Sequence, residues 1–221
     1  MAHQLVGLDE ATARWRGSEK RERLLAAGRR LILEKGFPAT TVDQICEAAG
    51  VTKGAFFHYF DSKEAVGREV IERFVFDLVE TFRGGPFRHL PDPLERVDAY
   101  VDFTIEVCTQ AILRDGCILG LFSQELAQTN PDIRAVCEQS FRAWAEDLKS
   151  LLDEAAAGRK PASPFDSESL AEQYIAIVEG ALIVRKAYQD PQVIARALNH
   201  FRDYVRLLLT TASSRRRKER R

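Results

Sequence analysis

Apolar positions along this chain recur at intervals of three and four, and no stretch shows the strict alternation of a strand. Leu24, Gly28, Leu31 and Ile32 share one face of a predicted first helix over 21–35, which Gly36 ends. Val42, Ile45, Cys46 and Ala49 form the buried stripe of a second helix, opened by Thr41 and broken by Gly50. Gln44 follows Thr41 at the spacing of a capping box. Thr52 caps a short third helix over 53–60, and Asp61 with Glu64 repeats the capping-box spacing before a fourth. That fourth helix runs over about 62–82 on the stripe Val66, Val70, Ile71, Phe74, Leu78 and Phe82. Gly84-Gly85-Pro86 and Pro91-Asp92-Pro93 mark a loop. Further helices are predicted at about 94–113, 118–128, 131–157, 167–188 and 192–211. Nine helices and no sheet predict an all-α protein.

The second and third helices, joined by a tight turn at Gly50, have the organisation of a helix-turn-helix, whose second helix enters the major groove of DNA. The expected division is a helix-turn-helix domain over 18–65, a larger helical domain over 66–212 and a basic tail over 213–221. Residues 1–17 read as a loose arm.

The chemistry of the third helix fits that reading. Lys53 and Lys63 each stand at the start of a helix, where an ammonium is mildly unfavourable unless an anion arrives, so both suggest phosphate contacts. Gly54 costs a helix about 1 kcal/mol relative to Ala, and its missing side chain would admit DNA closely; close packing against the second helix is the alternative. Ala55 suits a thymine methyl, and His58 and Tyr59 offer hydrogen bonds to phosphates or base edges. Phe56 and Phe60, four apart, anchor the helix, which leaves Phe57 with exposed aromatic surface or a deoxyribose contact.

Composition changes this picture little. With 221 residues, 45% hydrophobic and 29% charged, the chain can bury a real core. A formal net charge of −1 is unusual for a nucleic-acid binder, yet eight Lys or Arg against three Glu between Arg14 and Lys35 leave a basic N-terminal face. Cysteines 46, 108, 117 and 137 include no Cys-x-x-Cys pair and the four His are scattered, so neither a metal site nor a cofactor is expected. Isolated cysteines, the lack of a signal-peptide core and the lack of an apolar run near 18 residues predict a cytoplasmic protein with no membrane partner.

The stretch from Arg21 to Leu78 resembles the N-terminal domain of TetR-family transcriptional repressors. The resemblance is carried by Lys35-Gly36-Phe37, Thr40-Thr41-Val42, Ile45-Cys46, Ala48-Ala49-Gly50-Val51 and TKGAFFHYFDSKEA from Thr52 to Ala65. By position it implies DNA contacts from Thr41, Thr52, Lys53, Gly54, Tyr59 and Lys63. Many members carry Tyr where this chain has Phe57, so a phosphate contact of that hydroxyl is missing here, with His58 or Tyr59 as substitutes. The resemblance also implies a ligand-binding, dimer-forming second domain.

The last two helices carry apolar stripes that would suit a four-helix dimer interface. These are Leu170, Tyr174, Ile177, Val178, Ala181, Leu182 and Arg185 on one helix, and Ile194, Ala197, Phe201, Tyr204, Val205 and Leu208 on the other. Gly180 and Ala181 would permit close approach. Phe103, Val107, Phe122, Phe141, Trp144 and Tyr174 are candidates to line a pocket, and Cys117 is a further one. The expected function is a ligand-responsive repressor that binds a palindromic double-stranded DNA operator as a homodimer and is released by a small-molecule inducer. One alternative is a regulator that senses oxidants or electrophiles through Cys117. Another is a helical protein-interaction module without DNA binding. No supporting His and acid accompany Cys117 and no phosphate-binding glycine loop is present, so an enzyme is not expected.

Overall fold

The structure is a computed structural model that describes residues 18–161 and 163–209. The N-terminal arm and the basic tail read from the sequence lie outside the described residues. Within them the chain forms nine α-helices, one short 3-10 helix and no strand, which is the all-α fold the periodicity predicts. It divides into two compact units, one holding the chain up to Asp77 together with Ile118–Cys137, the other Leu78–Cys117 together with the chain from Glu138 onward.

In the first unit, α1 (Glu19–Lys35) buries Leu24, Leu25, Ala27, Ile32 and Leu33. Its first turn carries Glu19 and Glu22 and its last carries Lys35, each sign suited to its end of the helix dipole. Helix α2 (Val42–Ala49) starts on the expected capping box. The Gln44 amide donates to Thr41 Oγ1 at 3.3 Å, and the Thr41 amide donates to Gln44 Oε1 at 3.0 Å. Gly50 ends α2 at φ 64°, a left-handed conformation that lets the chain turn sharply into the next helix. Helix α3 (Lys53–Tyr59) starts on Thr52, whose Oγ1 accepts from the Ala55 amide at 3.2 Å. Helix α4 (Lys63–Arg83) is capped by Ser62, not by the Asp61 and Glu64 spacing: Ser62 Oγ accepts from the Ala65 amide at 3.1 Å.

The first unit also recruits α6 (Ile118–Leu126) and the beginning of α7 (Pro131–Ala156), with α5 introduced below. Two contacts explain why. Phe122 is fully buried and its ring lies 5.2 Å from that of Phe37. Both rings close over Gly67, where a Cβ would stand 2.8 Å from the Phe37 ring and 3.2 Å from the Phe122 ring. Glu125 Oε2 then accepts from the Phe37 amide at 2.7 Å. The compact unit therefore extends past the 65/66 boundary expected from sequence and takes in residues more than forty positions further on.

The second unit contains the 3-10 turn Pro86–His89, α5 (Pro93–Val107), most of α7, α8 (Ser167–Tyr188) and α9 (Gln192–Leu209). Asp92 caps α5 by accepting from Leu94 and Glu95 amides at 2.7 and 3.0 Å, and Asp166 does the same for α8. Helix α5 stops at Val107 instead of continuing to 113. Arg185 of α8 explains the break: its guanidinium donates to the Cys108 carbonyl at 2.8 Å, the Leu113 carbonyl at 3.1 Å and the Arg114 carbonyl. One side chain thus satisfies three carbonyls at and beyond the end of α5 that have no intrahelical partner. Asp98 and Asp102 of α5 pair with Arg206 and Arg202 of α9.

Most residues of the apolar stripes read on α8 and α9 are intrachain core, while Ile177 and Ala197 are half-buried and Tyr204 is exposed. Leu170, Tyr174, Val178, Ala181, Leu182, Ile194, Phe201, Val205 and Leu208 are buried within the chain, while Arg185 serves the carbonyls just described. A second apolar set points outward from the same helices: Ile183, Val184 and Tyr188 on α8, Tyr204 and Leu207 on α9. Gly180 lies on that outward side, since a Cβ there would meet nothing within 4 Å. No helix among the described residues is long and apolar enough to cross a membrane.

Candidate nucleic-acid interface

Helix α3 is held by one side and displayed on the other. Phe56 and Phe60 are buried, with ring centroids 5.7 Å apart, so the four-residue spacing anchors the helix as expected. Lys53, Gly54, Phe57 and His58 are exposed on the opposite side. Phe57 stands 50% exposed, with the Phe56 ring edge-on to it at 5.2 Å and its other side open. Nothing in the fold requires glycine at 54: a Cβ there would come no nearer than 4.0 Å, to Thr52 Oγ1. Packing against α2 therefore does not explain this residue, and an open approach to the helix does.

The other expected DNA-binding residues surround this face. Thr41 and Thr52 are exposed at the two N-caps, and a hydroxyl that accepts one amide still has its own proton to donate. Ala55 and Tyr59 are half-buried on the flank, and the Tyr59 hydroxyl shares a 2.8 Å hydrogen bond with Ser18 Oγ. The Lys53 ammonium lies 2.9 Å from Asp43 Oδ1. Lys63 differs from its neighbours. Its ammonium donates to the Phe37 carbonyl at 2.9 Å and the Pro38 carbonyl at 3.5 Å, and sits 4.3 Å from the centre of the Phe37 ring. It straps the turn between α1 and α2 to the start of α4.

Comparison with known proteins places this arrangement. The family description "Bacterial regulatory proteins, tetR family" matches residues 24–70, and "Tetracyclin repressor-like, C-terminal domain" matches residues 93–201. The HTH-type transcriptional repressor DhaR of Mycobacterium sp. (strain GP1) is 30% identical over 178 residues, 80% of this chain and 88% of that protein. The transcriptional regulator AcuR of Cereibacter sphaeroides is 31% identical over 172 residues, 76% of this chain and 77% of that protein. This chain belongs to the TetR family. Among solved structures, the regulatory protein TetR from Rhodobacter sphaeroides superposes with a TM-score of 0.74 at 27% identity, over 85% of this chain and 99% of that one. The reduced form of NemR from Escherichia coli superposes at 0.68 and 26% identity, over 88% of this chain and all of the other.

As a TetR-family protein the chain is a DNA-binding transcriptional regulator, with its reader in the first unit. Six of the candidate ligand residues, Phe103, Val107, Cys117, Phe141, Trp144 and Tyr174, fall in the second unit; Phe122 falls in the first, against Phe37. The structure centres the aromatic group on Tyr100, which the sequence reading missed. Trp144 Nε1 donates to the Tyr100 hydroxyl at 2.8 Å, and the Tyr174 ring lies 5.8 Å from the Tyr100 ring. Phe82 and Phe87 connect Tyr100 to Phe103, with centroids between 5.0 and 5.9 Å apart. Burial, and the charge of Asp147, hold the Tyr100 hydroxyl firmly protonated. The signal was present in the sequence as the buried stripe Val97, Tyr100, Val101 and Thr104.

Cys46, Cys108 and Cys137 sit in surroundings that favour the thiol over the thiolate. Burial pushes Cys108 up to about 12, with Arg185 only partly opposing it and Glu179 adding to it. Cys117 is buried and hydrogen-bonds the Glu179 carboxyl, whose own pKa is raised by burial against that bond. Among the described residues no cluster of His, Cys, Asp or Glu could hold a metal ion.

Proposed function

We propose that this chain is a ligand-responsive transcriptional repressor that binds a palindromic operator as a homodimer. The observation that carries this reading is where the large exposed apolar side chains lie. Among the described residues they are Phe57 on α3, and Ile183, Val184, Tyr188, Tyr204 and Leu207 on α8 and α9. A contiguous exposed apolar patch, such as that on α8 and α9, marks an interaction site. The face around Phe57 carries the chemistry of a groove reader. The apolar strip on α8 and α9, with Gly180 beside it, fits a second copy of itself across a two-fold axis. A seven-residue helix reads few base pairs, whereas two copies about 34–36 Å apart address successive major grooves. The repressor names of DhaR and NemR support repression as the sign of the effect.

The inducer is proposed to bind in the second unit, among the aromatic side chains around Tyr100. It shifts the population between DNA-competent and incompetent states by its difference in affinity for the two, typically about 1–3 kcal/mol of coupling. The burial of Cys117 and the Glu179 carboxyl beside it do not favour the cysteine-sensing alternative.

The dimer is tested by the double variant Ile183→Asp, Leu207→Asp. It is expected to sediment as a monomer and to lose at least tenfold in operator affinity while keeping its helical circular dichroism. A variant that stays dimeric would place the interface elsewhere. The inducer is sought by thermal shift across a small-molecule library, and a stabilising compound is expected to lower operator affinity in fluorescence anisotropy.

A further inference from the structure

The reading face contains a carboxylate as well as a cation, and the two are joined. Asp43, in the first turn of α2, lies 2.9 Å from the ammonium of Lys53, the first residue of α3. The side chains are 73% and 58% exposed, so the pair forms and breaks at the surface, where DNA must arrive. Other cations of the reader are differently held. Lys63 is bound by two neutral carbonyls and Lys35 by the neutral Gln44 Oε1 at 2.5 Å, so both keep their net charge.

We propose that Asp43 is a specificity-determining residue that acts through Lys53, masking its charge from the phosphates of non-operator DNA; the proposal rests on the reading of α3 as the DNA reader. Affinity for arbitrary sequence comes almost entirely from cations that replace counterions on phosphates. A lysine already neutralised by a carboxylate displaces none until that pair is broken. On the operator, base contacts from the rest of the face hold the two surfaces together while Lys53 changes partner. On arbitrary DNA no such contacts exist, and the carboxylate keeps its hold. Asp43 is a positioning residue in this account.

The test measures binding of a fluorescein-labelled 30-base-pair duplex of mixed sequence, and of a duplex selected by the wild type from a random library, from about 50 to 200 mM salt. Asp43→Asn is expected to steepen the slope of log affinity against log salt on mixed DNA by about 0.9, one added phosphate contact. Its advantage over wild type then shrinks by about 3.5-fold across that salt range. Discrimination in favour of the selected duplex falls, and Asp43→Glu restores both quantities. In a Lys53→Ala background Asp43→Asn leaves the slope unchanged. An unchanged slope in the wild-type background overturns the proposal, and so does an equal change in both backgrounds, which would mark a general charge effect. A wild type that enriches no duplex from the library and does not bind the mixed-sequence duplex overturns the reading of α3 itself.

Discussion

Gly54 and Lys63 both belong to the DNA-reading motif, yet the fold uses only one of them. Among the described residues, a Cβ at Gly54 would come no nearer than 4.0 Å to any side chain, that of Thr52. Gly54→Ala is therefore expected to leave the thermal midpoint unchanged or raise stability by up to about 1 kcal/mol through helix propensity, while weakening operator binding. Calorimetry and anisotropy on the same sample check both halves; a loss of stability would show that the glycine is structural. Lys63→Ala should lower stability by about 1 kcal/mol, because two carbonyls and an aromatic ring lose their cation. Urea denaturation measures that loss, and an unchanged midpoint would leave Lys63 free for phosphate alone. At Cys108 the sign of the pH dependence is fixed by the thiol's rise from 9.0 to about 12. Between those values the unfolded chain has lost a proton that the folded chain keeps, so this residue's contribution to stability falls as pH rises. Cys108→Ser should flatten that part of the stability profile. The inward and outward phenylalanines of α3 were legible from their spacing, whereas the partners of Lys63 were not, because a backbone carbonyl leaves no mark in a sequence.

At the scale of elements, periodicity located every described helix, and the largest error in an end is at α5, which stops at Val107 and not at 113. The cap of α4 shifted by one residue to Ser62, a choice between neighbouring capping side chains that spacing does not decide. The early stop of α5 depends on Arg185, which bonds Cys108 across 77 positions of sequence. Arg185→Ala is expected to lower stability by about 2–3 kcal/mol and to raise amide exchange across residues 108–114, as three carbonyls lose a charged donor. Exchange confined to the ends of α8 would contradict that role. The extent of the first unit was hidden for a related reason. Phe122 reads from sequence as a pocket residue, and only the fold sets it against Phe37 and Gly67. Gly67→Ala should cost about 1–3 kcal/mol, since its methyl would overlap both rings.

For the whole molecule, the family was legible in local spacing, while the surface proposed for the dimer is visible only in burial. Most of the stripe residues on α8 and α9 are the core of their own unit, and the outward set, which shares only Tyr204 with them, is less continuous and easily overlooked. Local motifs are legible because their partners are close in sequence; a surface becomes recognisable only once the chain has covered everything else. The central claim is that the outward face of α3, presented twice, reads a two-fold operator. Its most direct test is selection of random-sequence duplexes by the purified protein, followed by sequencing. The expected product is an inverted repeat whose half-site centres lie about one helical turn, or a multiple of it, apart, with enrichment lost in a Lys53→Ala, His58→Ala variant. Enrichment of an asymmetric site, or of the same repeat by that variant, would contradict the account.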